Sequence, residues 1–420
     1  MFKVTKKSIK SNARIGTIQT RHGSISTPCF MPDATRASIR GLTSGDLIRL
    51  NLQSMVVNTY HLYLQPGIDC IKKSKGVHRF MNWDGPLVSD SGGYQVFSLV
   101  HRNKFHVIAD PVIASECTHE RGNPVNNTKS GKGGIASSAS TLPRNDSKID
   151  NSGVSFRSPY DGSKHRLTPK KSIQIQFDLG TDLIICFDDV PPHNVKKSEM
   201  DKSIEHTIAW AGECKKEFEL QIKKRKSKKN PPILFGVIQG GIDKDLRKKC
   251  ADALLEIGFD GYGFGARPVD DEGNFLEDIL DYTARLIPDD KIRFNLGMGT
   301  PSDIIQSVKM GWDLFDCVIP TREARHGRLY TSNQSTTTIK GRGLKSSAFI
   351  NIANAKFAKD HSPINTKSKL PELKEYTKAY LHHLFKTKEP LSIRLATLNN
   401  LEFYMQLMTE IRCAIRKGKL

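Results

Sequence analysis

Several polar side chains stand at or near the ends of short apolar runs, where they could take part in chemistry. They are Asn58, His61, Asp90, Ser91, Asp188, Asp189, Gln239 and Asp316. Strand interiors disfavour aspartate, and burying an unpartnered carboxylate is costly, so the four aspartates need an explanation. For Asp316, which stands inside an apolar run, we favour a functional role. For Asp90, a cap for the next element and a functional role are equally open.

Two carboxylates in one pocket could divide the work of glycosyl chemistry. One would attack an electrophilic carbon and the other would move a proton, since a carboxylate can trap an oxocarbenium-like centre. Tyr94 could stack on a flat ligand. Asp188 and Gln239 could hydrogen-bond the edge of a base. This pattern favours a site for a sugar-linked planar ligand.

The charge of the chain favours a polyanionic partner. Lys and Arg number 64 against 44 acidic residues among 420, which gives a net charge of +20. Arg322, Arg325 and Arg328 directly follow the Asp316 run and could hold phosphates, although a solvated helix start is about equally open. No apolar run is long enough for a membrane helix, and the N-terminus has no secretory signal. The cysteines are scattered without a CxxC pair, which predicts reduced thiols in a cytoplasmic protein.

Short apolar runs flanked by turn residues predict eight strands buried on both faces. They cover residues 27–34, 54–61, 86–93, 182–189, 232–241, 260–265, 293–299 and 314–320. Helical spacing follows some of them: one helix should end at Gly258, and another should begin at Thr300 as N-cap with Pro301 in its first turn. Eight strands alternating with helices predict an α/β fold, a (β/α)8 TIM barrel, with a doubly wound open sheet as the competing architecture.

Two polar stretches and a change of pattern divide the chain. Residues 114–153 predict a mobile insertion after the third strand, and 332–347 form a smaller polar stretch. The basic run 223–229 is most simply a solvated loop. We predict a barrel core over 1–348 and a helical C-terminal subdomain over 349–420 that completes the barrel. The stripe of Leu395, Leu398, Leu401, Met405 and Met408 should be core.

Several longer motifs of the chain are specific enough to indicate a protein family. The chain resembles the bacterial-type tRNA-guanine transglycosylases, also called queuine tRNA-ribosyltransferases, over roughly residues 12–102 and 153–415. The matching motifs are TPCFMPDAT, NTYHLYLQPG, FMNWDGPLVSDSGGYQVFSL, VSFRSPYDGSKHRLTP, GVIQGG, LGMGTP, FDCVIPTREARHGRLYTS and YTKAYLHHL. Together they are far stronger evidence than any single signature.

The resemblance implies exchange of the wobble guanine in G-U-N anticodons of tRNA for a 7-deazaguanine base, queuine or its aminomethyl precursor. Asp316 matches the family's nucleophile and Asp90 its proton acceptor. The base-binding positions implied are Asp90, Tyr94, Asp188, Gln239, Gly240, Ala266, Leu296 and Gly297. Arg322 and Arg325 match residues near the anticodon. The resemblance also implies a cytoplasmic homodimer.

Two departures from the family pattern matter. Where relatives bind a structural zinc, this chain has Ser368, Leu370, Leu373 and Asn399, which make no credible ligand set. We therefore expect no zinc and no other cofactor, with the two leucines packing instead. The second departure is in the pocket, where Val190 and the segment 263–271 with Arg267 favour queuine. Neutral drift around an unchanged pocket is the alternative.

Other function classes stay open on sequence alone. A non-catalytic tRNA-binding accessory subunit of the same fold would be expected to lose the carboxylates, which this chain keeps. An archaeal-type enzyme would be expected to carry further RNA-binding domains. A sugar-processing barrel hydrolase explains paired carboxylates but not the basic charge.

Overall fold

The computed structural model describes residues 2–100, 148–192, 195–225, 230–270, 272–331 and 349–420. Its strands are β1 Phe2–Lys7, β2 Arg14–Thr20, β3 Gly23–Thr27, β4 Cys29–Pro32, β5 Met55–Val57, β6 Leu87–Ser89, β7 Lys148–Asp150, β8 Gly153–Arg157, β9 Lys164–Leu167, β10 Leu183–Ile185, β11 Ile233–Ile238, β12 Gly261–Phe264, β13 Ile292–Asn295, β14 Leu314–Cys317, β15 Arg328–Tyr330 and β16 Phe349–Asn351.

Helices follow most of the barrel strands. They are α1 Ser44–Arg49, α2 Thr59–Leu62, α3 Ile68–Lys73, α4 Val77–Met81, α5 Gly93–Val100, α6 Pro169–Leu179, α7 Lys197–Lys224, α8 Lys244–Ile257, α9 Glu277–Leu286, α10 Pro301–Met310, α11 Ile319–Arg325, α12 Pro371–Glu375, α13 Lys378–Thr387 and α14 Pro390–Arg416. A π-helical turn covers Tyr63–Gly67 and a 3-10 turn Ala355–Phe357.

All eight predicted barrel strands form one parallel sheet. Its order is β4-β14-β13-β12-β11-β10-β6-β5. The Ala34 amide donates to the Val56 carbonyl at 2.7 Å, and a parallel bridge joins Asp33 to Val56, so the two outer strands also meet. The sheet therefore closes into the (β/α)8 barrel, and the open-sheet alternative is wrong. In such a barrel the residues that follow the strands gather at one end.

The predicted helix boundaries are confirmed where the structure describes them. α8 ends at its cap Gly258, which has a φ of +82°. Thr300 caps α10 by accepting a hydrogen bond from the Asp303 amide, and Pro301 is in the first turn. In α14 the stripe Leu395, Leu398, Leu401 and Met408 is buried and Met405 is partly buried, as expected for core.

An antiparallel sheet that the sequence analysis did not anticipate precedes the barrel. Strands β1, β2 and β3 pair in that order. Ile18 and Ile25 of this sheet are fully buried among the side chains that fill the barrel interior. His22, in the β2–β3 turn, contacts Asp182 at 2.9 Å, directly before β10. The sheet thus covers the barrel end where the strands begin.

The polar insertion is shorter at its C-terminal side than expected. The predicted insertion includes residues 148–153, but β7 and the start of β8 cover these residues and pair with β9 in an antiparallel sheet. Gly153, with a φ of +138°, starts β8, and a side chain at that position would collide with the Leu167 carbonyl of β9. Residues 114–147, 226–229 of the basic run, and 332–347 lie outside the described residues.

Candidate active site

Asp316 lies near the C-terminal end of β14 with its carboxylate partly exposed. The Gly297 amide, in the turn after β13, donates to its Oδ1 at 3.0 Å. Gly297 has a φ of +74°, a conformation that glycine adopts without strain. Desolvation raises the pKa of Asp316 to about 6, although the Gly297 hydrogen bond opposes the shift. The amides of Gly297 and of Asp316 itself therefore hold the carboxylate in a fixed orientation, which attack on a ligand requires.

Asp90, the residue after β6, is oriented by the start of the neighbouring helix α2. The Thr59 amide donates to Oδ1 at 2.7 Å and the Asn58 side-chain amide to Oδ2 at 2.5 Å. Desolvation is the main cause that raises the pKa of Asp90 to about 7, and the charge of Asp316 raises it further. The two carboxylates therefore lie in one electrostatic environment and titrate near neutral pH.

A second polar pair lies beside them. The Gln239 side-chain amide, at the end of β11, donates to Asp188 Oδ2 at 2.8 Å, and Ser91 donates to Oδ1 at 3.4 Å. Gln239 is fully buried, and its Oε1 has no hydrogen-bond partner among the described residues. Desolvation raises the pKa of Asp188 to about 7. A ligand donor would satisfy the buried oxygen, because an unpaired buried acceptor is costly.

The other predicted pocket residues also follow barrel strands. Tyr94 is in the first turn of α5 and packs partly buried against the core. Gly240 follows β11, Ala266 follows β12 with a φ of +84°, and Leu296 follows β13 against the interior core. A side chain at Gly265 would fall 2.5 Å from the Gln239 amide, so a glycine is needed there. The predicted set thus occupies the ends of successive strands.

Two residues of the original polar set have other contacts. Asp189 Oδ2 lies 2.9 Å from His206 Nδ1 on α7, and the Asp189 amide donates to Thr207, so its side chain faces a helix. The His61 amide completes the cap of α2 by donating to Asn58 Oδ1. Burial lowers the pKa of His61 to about 4. Asn58 belongs to the predicted set of polar residues at strand ends, but no sequence pattern indicates its contact with Asp90.

Arg322 and Arg325 lie on α11, the helix that begins three residues after Asp316. Asn400 of α14 holds this region: its side-chain amide donates to the carbonyls of Pro320 at 3.0 Å and Arg328 at 2.9 Å. Its Oδ1 accepts from the Tyr330 amide at 3.0 Å. The C-terminal helix therefore positions the arginine segment beside the carboxylates.

The region for which the family resemblance implies a zinc site is organised here by hydrogen bonds. Glu402 accepts from the Ser368 hydroxyl and from the Lys369 amide, both at 2.6 Å. Leu370 and Leu373 are buried in the core, as expected. Asn399 donates to the Tyr330 carbonyl at 2.9 Å. A carboxylate, a hydroxyl and an amide do not make the nitrogen and sulfur ligand set that structural zinc requires.

Comparison with known proteins identifies the family. The family model described as TGT, queuine tRNA-ribosyltransferase, matches residues 8–112 and 127–420. The chain belongs to the queuine tRNA-ribosyltransferase family. Besides residues 1–7, the match leaves out residues 113–126, which lie almost wholly within the predicted insertion.

Curated relatives agree over the full length. The chain is 39% identical over 419 residues to the queuine tRNA-ribosyltransferase of a Thermoanaerobacter species, covering 100% of this chain and 94% of that protein. It is 37% identical to the protein of that name from Halothermothrix orenii, with the same coverage. For the one from Staphylococcus epidermidis, identity is 37% over 98% of this chain and 91% of the relative.

Membership in the queuine tRNA-ribosyltransferase family removes the unrelated barrel hydrolase from consideration. Among the described helices, none combines the length and apolar character needed to cross a membrane.

Proposed function

We propose that this protein is a tRNA-guanine transglycosylase that exchanges an anticodon guanine for a 7-deazaguanine base through a covalent intermediate. The observation that carries the proposal is the arrangement of Asp316 and Asp90. Asp316 lies near the end of one barrel strand and Asp90 directly follows another. Both carboxylates are oriented by backbone amides and have pKa values raised towards neutrality. That combination suits one nucleophile and one proton carrier.

In the first half of the reaction, a carboxylate oxygen of Asp316 forms a bond to C1′ of the target ribose. The glycosidic bond breaks, and guanine leaves with the bonding electrons. The protonated carboxyl of Asp90 supplies the proton that the leaving nitrogen needs. In the second half, the entering base gives its proton to Asp90, its nitrogen bonds to C1′, and the Asp316 ester bond breaks.

Base recognition is assigned to Asp188 and Gln239. The free acceptor of Gln239 and the second lone pairs of Asp188 can receive the N–H donors that guanine and its 7-deaza analogues share. Tyr94 would stack on the ring, with Gly240, Ala266, Leu296 and Gly297 as the remaining walls. The departures at Val190 and Arg267 favour queuine over the aminomethyl precursor. Competition between the two bases for incorporation would test that choice.

The proposal extends to partners and cofactors. The substrate is tRNA with a G-U-N anticodon, approached by Arg322 and Arg325, and the working form is a cytoplasmic homodimer without zinc. The hydrogen bonds of Glu402 support the zinc-free form because they tie together the loop that metal organises in relatives. One zinc per chain by elemental analysis of the purified protein would contradict it.

Single-turnover exchange of labelled guanine in a G-U-N anticodon stem-loop tests the activity. We expect exchange by the wild type, and neither exchange nor a covalent RNA adduct with Asp316→Asn. Asp281→Asn, a change on the outer helix α9, is the matched control and should exchange normally. Tight RNA binding by the wild type without exchange would instead support the accessory-subunit alternative.

A further inference from the structure

A small open cavity lies at the start of α11, the helix that begins three residues after the proposed nucleophile. Its volume is about 180 Å³, and its lining includes Thr300, Ile319, Arg322, Arg328 and Phe349. Ile319 is three residues beyond Asp316, and Thr300 is three beyond Gly297, the residue that donates to Asp316. The cavity is smaller than the roughly 300–1,000 Å³ of sites for drug-sized ligands. It suits a single planar group.

One wall of this cavity is an unusually exposed aromatic ring. Phe349 is 53% exposed, although it lies in a paired strand opposite the buried Tyr330. The Arg328 guanidinium lies 5.1 Å from the centre of its ring. Glu323 holds that guanidinium by accepting from Nη1 at 3.0 Å. An aromatic face backed by a fixed guanidinium is the combination that stacks nucleobases without reading their sequence.

The position of the ring indicates which base it would receive. Strand β15 follows α11 and pairs antiparallel with β16, and Phe349 of β16 lines the same cavity as Arg322 of α11. If Asp316 engages the ribose of the target nucleotide, the adjacent nucleotide along the strand is the one that can reach this cavity. The surrounding arginines match the charge of its phosphate.

We infer that Phe349 and Arg328 form a stacking platform for the anticodon-loop base adjacent to the exchanged guanine. This inference rests on the proposed function, because it takes the anticodon loop as the ligand. It assigns to Phe349 a role in binding RNA, separate from the chemistry of the two carboxylates.

Fluorescence anisotropy with a labelled anticodon stem-loop tests the platform on the full-length protein. Phe349→Ala should weaken binding by about fivefold to a hundredfold, the range for loss of one stacked base, and Phe349→Tyr should restore it. The control is Phe80→Ala. Phe80 is also exposed, at 39%, but it lies on α4, which leads into the opposite end of the barrel. Phe80→Ala should bind the stem-loop like the wild type.

Two further measurements separate stacking from other roles. Two stem-loops are used, each with an abasic site at one of the two positions that flank the target. The one that lacks the stacked base should bind wild type and Phe349→Ala equally. The slope of log Kd against log salt should not change in Phe349→Ala, whereas Arg322→Ala should reduce it by about one phosphate contact.

Three results would overturn the inference: equal binding by wild type and Phe349→Ala, a loss that persists on both abasic RNAs, or an altered oligomeric state of the variant by light scattering. The last would mean that the ring packs against a second subunit. Exchange activity is read separately. If the wild type exchanges guanine and Phe349→Ala binds the stem-loop as tightly as the wild type, only the platform is rejected. If the wild type does not exchange guanine, the proposed function is rejected.

Discussion

At the scale of single residues, the two carboxylates of the proposed site need opposite protonation states. Asp316 attacks as an anion, and Asp90 must first give a proton to the departing guanine. Burial raises the pKa of Asp316 to about 6 and that of Asp90 to about 7. The state with Asp316 ionised and Asp90 protonated is therefore most populated between about pH 6 and pH 7. These two pKa values describe the coupled pair of carboxylates.

The rate of guanine exchange should accordingly be bell-shaped in pH. It should rise through about pH 6, as Asp316 ionises, and fall through about pH 7, as Asp90 loses its proton. Single-turnover exchange between pH 5 and 9 measures this profile. Stem-loop binding, followed by anisotropy over the same range, is the control and should lack the bell shape. A rate that keeps increasing to pH 9 would contradict the assignment of Asp90 as acid.

Asp188 should reduce the stability of the free protein at alkaline pH. Its folded pKa, raised to about 7, exceeds the unfolded value, so the unfolded chain binds fewer protons between about pH 4 and 7. Its contribution to stability is therefore present at low pH and declines as the pH rises through that window. Asp188→Asn removes this decline and should stabilise the protein by about 1–3 kcal/mol at pH 8.

Urea unfolding at pH 5 and pH 8 measures this difference. At pH 5 the advantage of the variant should be less than half of that at pH 8, because most of the window in which Asp188 loses stability lies above pH 5. Asp281→Asn on the surface should show no comparable pH-dependent gain. A variant less stable than the wild type at pH 8 would mean that the Gln239 contact outweighs the cost of the buried charge.

At the scale of elements, Glu402 of α14 holds the loop that precedes α12. Glu402 is 6% exposed and accepts two hydrogen bonds from that loop, at Ser368 and Lys369. Glu402→Ala removes both bonds and leaves the buried Ser368 hydroxyl with only the Leu370 carbonyl, at 3.4 Å, so it should cost about 1–3 kcal/mol of stability. Thermal unfolding measures the loss, and a chelator should leave the wild-type curve unchanged. A chelator-induced drop in Tm would reveal a metal in this region.

The sequence predicted the barrel elements because each carries a local signal. Every barrel strand is a short apolar run bounded by turn residues, and Gly258 and Thr300 mark helix ends by their side-chain chemistry. Asp316 could be singled out because a carboxylate inside an apolar run needs a reason. The pattern and its explanation both lie within a few residues.

Contacts between distant positions could not be predicted in this way. No local pattern links Glu402 to Ser368, or Asn58 to the Asp90 carboxylate. The N-terminal sheet lies outside the eight predicted strands because continuous apolar runs indicated those strands. By contrast, β1 begins with alternating partly buried and exposed residues, the pattern of a half-buried strand. Its burial comes from packing across the barrel end, which only the three-dimensional structure contains.

At the scale of the whole molecule, the two ends of the barrel divide stability from chemistry. Asp313 precedes β14 and Asp316 lies near its other end, so about 10 Å of strand separates them. Asp313 is fully buried and receives two hydrogen bonds from Arg14 of β2, at 2.9 and 2.6 Å. The Arg293 amide also donates to Asp313, at 2.8 Å. This ion pair fastens the N-terminal sheet to the barrel end remote from the site.

Breaking this pair should therefore destabilise the protein without altering the reaction. Arg14→Met leaves the buried Asp313 charge unpaired and should cost about 3–5 kcal/mol, while Arg14→Met combined with Asp313→Leu should recover much of the loss. Denaturant unfolding gives the stabilities, and single-turnover exchange well below the lowered Tm gives the chemistry. Unchanged exchange in both variants is expected because no contact of the carboxylate pocket is removed. A large fall in the exchange rate of folded Arg14→Met would mean that the barrel transmits strain from one end to the other.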